Sequence, residues 1–268
     1  MSTLQPTIPH GKPGFLSQSL NSSLLPDLPT ERFVAGRAIL WEGDPSSDVF
    51  YLVGGTLRYC RVLLDGRRMI SSFALPGEFF GLSSMGRYLF TIEAVSDCRI
   101  QRLSTGRMKV LASRAPHVHG AIVDALRVQY YQMHTRLLSM LHKSAEERVA
   151  HFVLDIGQRT TGDLDNGSVF CLSMPRSDIA DHLGLTVETV CRALTRLKRD
   201  GVLKLDRPNR VIINDLAALC ARAAEDPTTG DLGASGSPAR RGDWRREALS
   251  RPRPSLIRKT TKLKSHPN

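Results

Sequence analysis

An α+β chain of two compact domains with tails is predicted by three features of the 268-residue sequence. Residues 32–103 run through short apolar segments broken by glycines, Ile122 to Met140 carry an apolar stripe at helical spacing, and residues 173–201 read as two short helices meeting at a glycine turn. In order these give a small all-β sandwich or jelly roll, a long amphipathic helix, and a helix-turn-helix followed by a hairpin wing.

Residues 1–30 are rich in Ser, Pro and Leu, poor in charge, and read as an irregular extension. The β domain is expected over 31–112. Its strand segments include Ala38-Ile39-Leu40-Trp41, Val49-Phe50-Tyr51-Leu52-Val53, Thr56-Leu57-Arg58-Tyr59 and Met69-Ile70-Ser71-Ser72-Phe73, with turn signals at Glu42-Gly43-Asp44, Gly54-Gly55 and Asp65-Gly66. Many short strands at close spacing are what a small sandwich or roll requires.

Ile122, Leu126, Tyr130, Met133, Leu137 and Met140 advance by threes and fours and predict one face of a long helix over 113–143. Such a stripe needs a partner, either a second copy of the chain or the β domain beside it. A further helix, Ala145–Arg159, with Val149, Phe152, Val153 and Ile156 inward, opens the last domain, 144–220.

There Ile179, Ala180 and Leu183 form the buried side of a first helix. Gly184 supplies a turn that a side chain would crowd, and Thr186 caps a second helix. Val187, Val190, Leu194 and Leu197 form the inward stripe of that helix, while Glu188, Thr189, Cys191, Arg192, Thr195, Arg196 and Arg199 lie opposite. This is the outline of a DNA-reading helix, with Arg176 and Ser177 of the first helix beside it. Arginine can grip guanine O6 and N7, and a glutamate can accept from the cytosine amine. A Glu188–Arg192 ion pair on a solvated face is the alternative reading. Two apolar runs around Arg207-Pro208-Asn209-Arg210 read as a wing whose Arg207 and Arg210 lie near phosphates.

The stretch LGLTVETVCRALTRLKRDGVL resembles the recognition region of the Crp/Fnr family of bacterial transcription regulators, particularly its Fnr and FixK branches. The family signature Glu-x-x-Ser-Arg falls at Glu188, Cys191 and Arg192, with cysteine in place of serine. The resemblance implies that Glu188 and Arg192 read the core of a TTGA-type inverted repeat, while the serine's role does not carry over cleanly. Pro175 stands where a Ser or Thr cap is usual. The stretch FVAGRAILWEGDPSSDVFYLVGGTLRYCRVLLDGRRMISSFALPGEFFG is similar to the double-stranded β-roll of cyclic-nucleotide receptors, so the resemblance covers about residues 31–216. It further implies a homodimer whose seam is the long helix, binding double-stranded DNA and controlling low-oxygen or nitrogen-oxide metabolism, often by recruiting RNA polymerase.

Nucleotide-binding members follow a Gly-Glu pair with Arg-Ser or Arg-Thr. Gly77-Glu78 is present, but the expected positions read Tyr88-Leu89-Phe90 and Arg87 is displaced, so Gly77-Glu78 reads as a turn kept for the fold and cyclic-nucleotide binding is not supported. Residues 1–59 contain no cysteine, and Cys60, Cys98, Cys171, Cys191 and Cys220 share no C-x-x-C spacing, so neither an iron–sulfur cluster nor zinc is supported; Cys60 and Cys98 read as small buried hydrophobes. Absence of the N-terminal ligands is what makes the chain similar to FixK. Haem stays open, as in some nitric-oxide-responsive members, although His117, His119, His134, His142 and His151 read as solvated or capping residues and no iron ligand stands out. Cys191, near a helix N-terminus and beside a cation, is a candidate redox switch.

No triad, paired-carboxylate or phosphate-loop motif suggests an enzyme. With neither a run of eighteen apolar residues nor a basic-then-apolar leader, the chain is expected to be cytoplasmic, with reduced thiols and no membrane contact. The formal net charge is +11, and residues 227–268 hold ten Lys or Arg against three acids. The tail, 221–268, reads as a disordered polycation that adds salt-sensitive DNA affinity or merely solubilises the chain.

Overall fold

Eight strands build the N-terminal half: β1 (Thr30–Phe33), β2 (Ala38–Leu40), β3 (Asp48–Gly54), β4 (Leu57–Val62), β5 (Arg68–Ala74), β6 (Phe79–Phe80), β7 (Thr91–Ala94) and β8 (Cys98–Ser104). The computed structural model describes residues 28–83, 85–114, 116–207 and 209–224, all within the unit spanning residues 1–230; the first 27 residues and most of the basic tail lie outside the described residues. The strands form two antiparallel sheets, ordered β1-β8-β3-β6 and β2-β7-β4-β5. Between them Leu52, Leu57, Phe80, Ile92 and Ile100 are almost fully buried. The expected roll is present, with the strand segments read from the sequence falling on β2 to β5.

Strand β3 buries five consecutive residues rather than alternating, because it is covered on both sides. Phe50 and Leu52 face the inter-sheet core, while Val49 and Tyr51 pack with Phe79, Leu103 and Met108. Met108 comes from α1 (Thr105–Arg114), a helix absent from the sequence reading, which placed these residues in the roll domain and the long helix. The Gly54-Gly55 turn is obligatory: Gly55 has φ +94°, and a Cβ there would lie 2.4 Å from the Asp97 carbonyl oxygen.

The long helix, α2, runs Pro116–His142. Leu126, Tyr130, Met133, Leu137 and Met140 on it are 42–64% exposed, so the chain's own roll does not cover this stripe. The side chains of Ile122, His117 and His119 lie outside the described residues.

Helix α3 (Ala145–Thr161) starts at a reciprocal cap in which Ser144 and Glu147 each bond the other's backbone N–H, and it buries Val149, Phe152, Val153 and Ile156 as its periodicity predicts. After it come β9 (Val169–Cys171), α4 (Arg176–Leu183), α5 (Val187–Arg199), β10 (Leu203–Arg207), β11 (Arg210–Ile213) and α6 (Leu216–Arg222). The wing is a three-stranded sheet, β10-β11-β9, rather than the expected two-stranded hairpin. Strand β9 escapes the sequence reading because only three residues carry it. Module and roll share one core: Cys60, Ile70, Phe73 and Leu75 pack into the same apolar cluster as Phe152, Ile179 and Leu183.

Candidate nucleic-acid interface

Helices α4 and α5 meet at Gly184, whose φ of +65° is the left-handed conformation that ends α4. Its requirement is conformational, not the crowding expected from sequence: a Cβ there would meet only Met140 Cε, at an ordinary 3.7 Å. Pro175 stands at the N-cap of α4 and provides no side-chain cap. Thr186 Oγ1 caps α5 by accepting from the Thr189 N–H at 3.2 Å, as predicted.

Val190, Ala193, Leu194 and Leu197 bury the inner face of α5. Val187, expected in that stripe, is 40% exposed, because the first turn of the helix projects beyond the core. On the outer face Glu188, Cys191, Arg192 and Thr195 are exposed and Thr189 is partly so. Glu188 does not pair with Arg192; Arg192 Nη2 donates to Thr189 Oγ1 at 3.3 Å instead. The Glu188 carboxyl is held below the usual range by its own backbone N–H and the Thr186 side chain, with a smaller contribution from the Arg192 charge. It is therefore an anion at neutral pH, suited to accept from a base amine.

The other predicted contact residues are less uniform. Ser177 is exposed, and Arg176 is half-buried close to Cys191, burial lowering its pKa while Cys191 opposes that shift. Arg196 is turned to Glu146 at the start of α3, so it is not free on the reading face. Arg199 bonds Asp200 at 3.2 Å, and Arg210 of the wing bonds Asp206 at 2.9 Å, while Arg207 is exposed. The structure thus brings Glu188, Thr189, Cys191, Arg192 and Thr195 onto one open surface and places Arg196 on its flank.

In the roll, the two charged residues of the candidate nucleotide motif, Arg87 and Glu78, are already engaged. Arg87 Nη1 donates to the Gly43 carbonyl at 2.7 Å, and Glu78 accepts from Arg159 of α3 and from the Leu75 N–H at 3.1 Å. Gly77-Glu78 is a turn, as expected, and also a tie to helix α3 of the C-terminal module. Cys60 and Cys98 are buried, burial pushing the Cys60 thiol up to about 11 and the Cys98 thiol upward as well. Among the described residues, no group of three His, Cys, Asp or Glu is placed to hold a metal ion, and no helix is long and apolar enough to cross a membrane.

Sequence reasoning missed His182. Its ring packs against Phe73 and Phe152, with centroids at 5.3 and 5.5 Å, and Nδ1 lies 3.3 Å from the Ile70 carbonyl. Burial, then the nearby Arg136 cation, lowers its pKa to about 3. A lone histidine between Asp181 and Leu183 carries no sequence signal for such a place.

The cyclic nucleotide-binding domain model matches residues 30–115, and the Crp-like helix-turn-helix domain model matches residues 147–222. The nitrogen fixation regulation protein FixK of Azorhizobium caulinodans is 36% identical over 188 residues, covering 70% of this chain and 76% of that protein. The transcriptional activator protein FnrL of Cereibacter sphaeroides is 28% identical over 202 residues, covering 74% of this chain and 82% of that one. The solved structure of FixK2 from Bradyrhizobium japonicum matches with a TM-score of 0.68 at 29% identity, covering 74% of this chain and 98% of that chain. The capped recognition helix, the wing and the roll, together with these likenesses, place the chain in the Crp/Fnr family of DNA-binding transcription regulators, within its FixK branch.

Proposed function

We propose that the protein is a homodimeric regulator, not an enzyme, that reads a TTGA-type inverted repeat with Glu188 and Arg192 of each α5 and controls genes of low-oxygen or nitrogen-oxide metabolism by recruiting RNA polymerase. The observation that carries this reading is the open face of α5, where a carboxylate and a guanidinium one helical turn apart stay unpaired with each other. Each can then form its base contact without first breaking a mutual ion pair. One such helix covers a half-site too small for specificity, and a twofold protein matches an inverted repeat. The uncovered stripe on α2 supports that pairing, because it exposes five large apolar side chains in line. Thr195, Ser177 and Arg176 border the reading surface, and Arg196, Arg199, Arg207 and Arg210 serve phosphates, the first two and Arg210 by exchanging their acidic partners Glu146, Asp200 and Asp206 for the backbone. Cys191 acts as a redox switch: one peroxide oxidises its thiolate to sulfenic acid with loss of water or hydroxide, adding bulk, and a second takes it to sulfinate, adding negative charge beside the bases.

Selection of bound duplexes from a random-sequence pool tests this reading. The expected product is an inverted repeat with a TTGA-type half-site; recovery of single half-sites or unrelated sequence would overturn it.

A further inference from the structure

Strand β5 is an edge of its sheet, and its open side meets the DNA-binding module. An unpaired edge presents free carbonyls, and here side chains from three helices cap them. The Ile70 carbonyl accepts from Arg136 of α2 at 2.9 Å, with His182 of α4 at 3.3 Å, and the Phe73 carbonyl accepts from Arg159 of α3 at 2.6 Å.

Charge reinforces this docking at the start of α4. Asp178 is 1% exposed, and each of its carboxylate oxygens receives a guanidinium of the roll at 2.7 Å: Oδ2 from Arg58 on β4, Oδ1 from Arg68 on β5. Arg68 also reaches Asp181 Oδ2 through Nε at 3.0 Å and Nη2 at 2.8 Å, and Arg58 is held in turn by Glu93 at 2.6 Å. Apolar contacts tolerate sliding, whereas a buried carboxylate with two directional cations does not, because displacement would leave charge buried and unpaired. The far end of α4 is fixed independently: the His182 carbonyl accepts from Arg136 at 2.9 Å and the Leu183 carbonyl from Arg148 at 3.4 Å. Helix α5 follows after the Gly184 turn, closed by the Leu185 N–H on the Ala180 carbonyl at 3.0 Å, and so inherits the direction of α4.

We infer that Arg58 and Arg68 are positioning residues for DNA recognition: through Asp178 and Asp181 they fix the direction in which α5 leaves the roll, and thereby the spacer length that separates the two half-sites. The inference rests on the dimeric reading above, since spacing exists only between two recognition helices. Base choice within a half-site belongs to the outer face of α5 and is independent of these four residues.

The test measures affinity of the full-length protein for duplexes carrying one inverted repeat with the spacer varied base pair by base pair, and for duplexes with one substituted base in each half-site. Wild type should favour one spacer sharply. Asp178→Asn and Arg68→Gln should reduce that spacer preference by about tenfold, or about 1.4 kcal/mol, with base preference unchanged. Arg68→Lys should keep part of the preference, because an ammonium still reaches one carboxylate but not both. Should Asp178→Asn fail to fold, Asp181→Asn, at a one-third-exposed position, removes only the second partner of Arg68 and should still blur the spacing. Full spacer preference in folded Arg68→Gln and Asp181→Asn would overturn the positioning role alone. Absence of any spacer preference in wild type would overturn it together with the dimeric reading, and the two failures are told apart by whether wild type shows the preference.

Discussion

Arg159 Nε and Nη2 lie 3.0 and 2.9 Å from the two carboxylate oxygens of Glu78, a bidentate pair joining helix α3 to the Gly77-Glu78 turn of the roll. Arg159 also reaches Asp155 at 3.0 Å, and although burial alone would lower its pKa, Glu78 and Asp155 more than offset that and raise it. Removing Glu78 leaves a buried guanidinium with only Asp155 and the Phe73 carbonyl. Glu78→Ala should cost about 3 kcal/mol of stability, the lower end of the range for breaking a buried pair, because Glu78 is partly exposed. Urea unfolding of the full chain checks this; a loss below that for an ordinary surface substitution would show the tie to be slack.

His182 gives the docked interface a pH dependence. Its residue keeps some exposed surface, but the ring lies between Phe73 and Phe152, and with Arg136, Arg159 and His151 nearby its pKa falls to about 3 against 6.5 in an unfolded chain. Between those values the unfolded state binds the extra proton, so the contribution is present above pH 6.5 and is lost as pH falls toward 3. From pH 7 to pH 5 stability should drop by at most about 2 kcal/mol through this residue. His182→Gln, which keeps a donor for the Ile70 carbonyl, should flatten the slope of unfolding free energy over that interval. An equal slope in both proteins would assign the effect elsewhere.

Met133→Arg should set like charges face to face across the α2 seam, where neither can reach a partner cheaply. Met133 is 64% exposed within one chain, so the fold should survive. Sedimentation should then show a folded monomer with specific DNA affinity lost. An intact dimer would mean that α2 pairs through another face.

Peroxide should weaken DNA binding by wild type and not by Cys191→Ser, which should bind as well as the reduced protein. Cys191 is exposed on the reading face, whereas Cys60 and Cys98 are buried. Equal loss in both proteins would remove Cys191 as the sensor.

The parts legible in the sequence were those with local signals. Thr186, Gly184 and the 190, 194, 197 spacing specify α5, and the Val149, Phe152, Val153, Ile156 spacing specifies α3. What the sequence concealed is how the module sits on the roll. Arg58 and Asp178 are 120 residues apart, Arg68 and Asp181 are 113 apart, and an ion pair of that separation leaves no periodicity. For the same reason Arg196 was legible as a charge on the outer side of α5 but not as the partner of Glu146, 50 residues earlier.

If α5 reads bases through its outer face, removing the Arg192 guanidinium in Arg192→Ala should change sequence choice and nothing else. Site selection and footprinting of wild type and variant should show loss of preference for the guanine of the half-site, about 1–3 kcal/mol per half-site, with fold and dimer intact. Unchanged site selection by a folded, dimeric Arg192→Ala protein would contradict the assignment of α5 as the recognition helix.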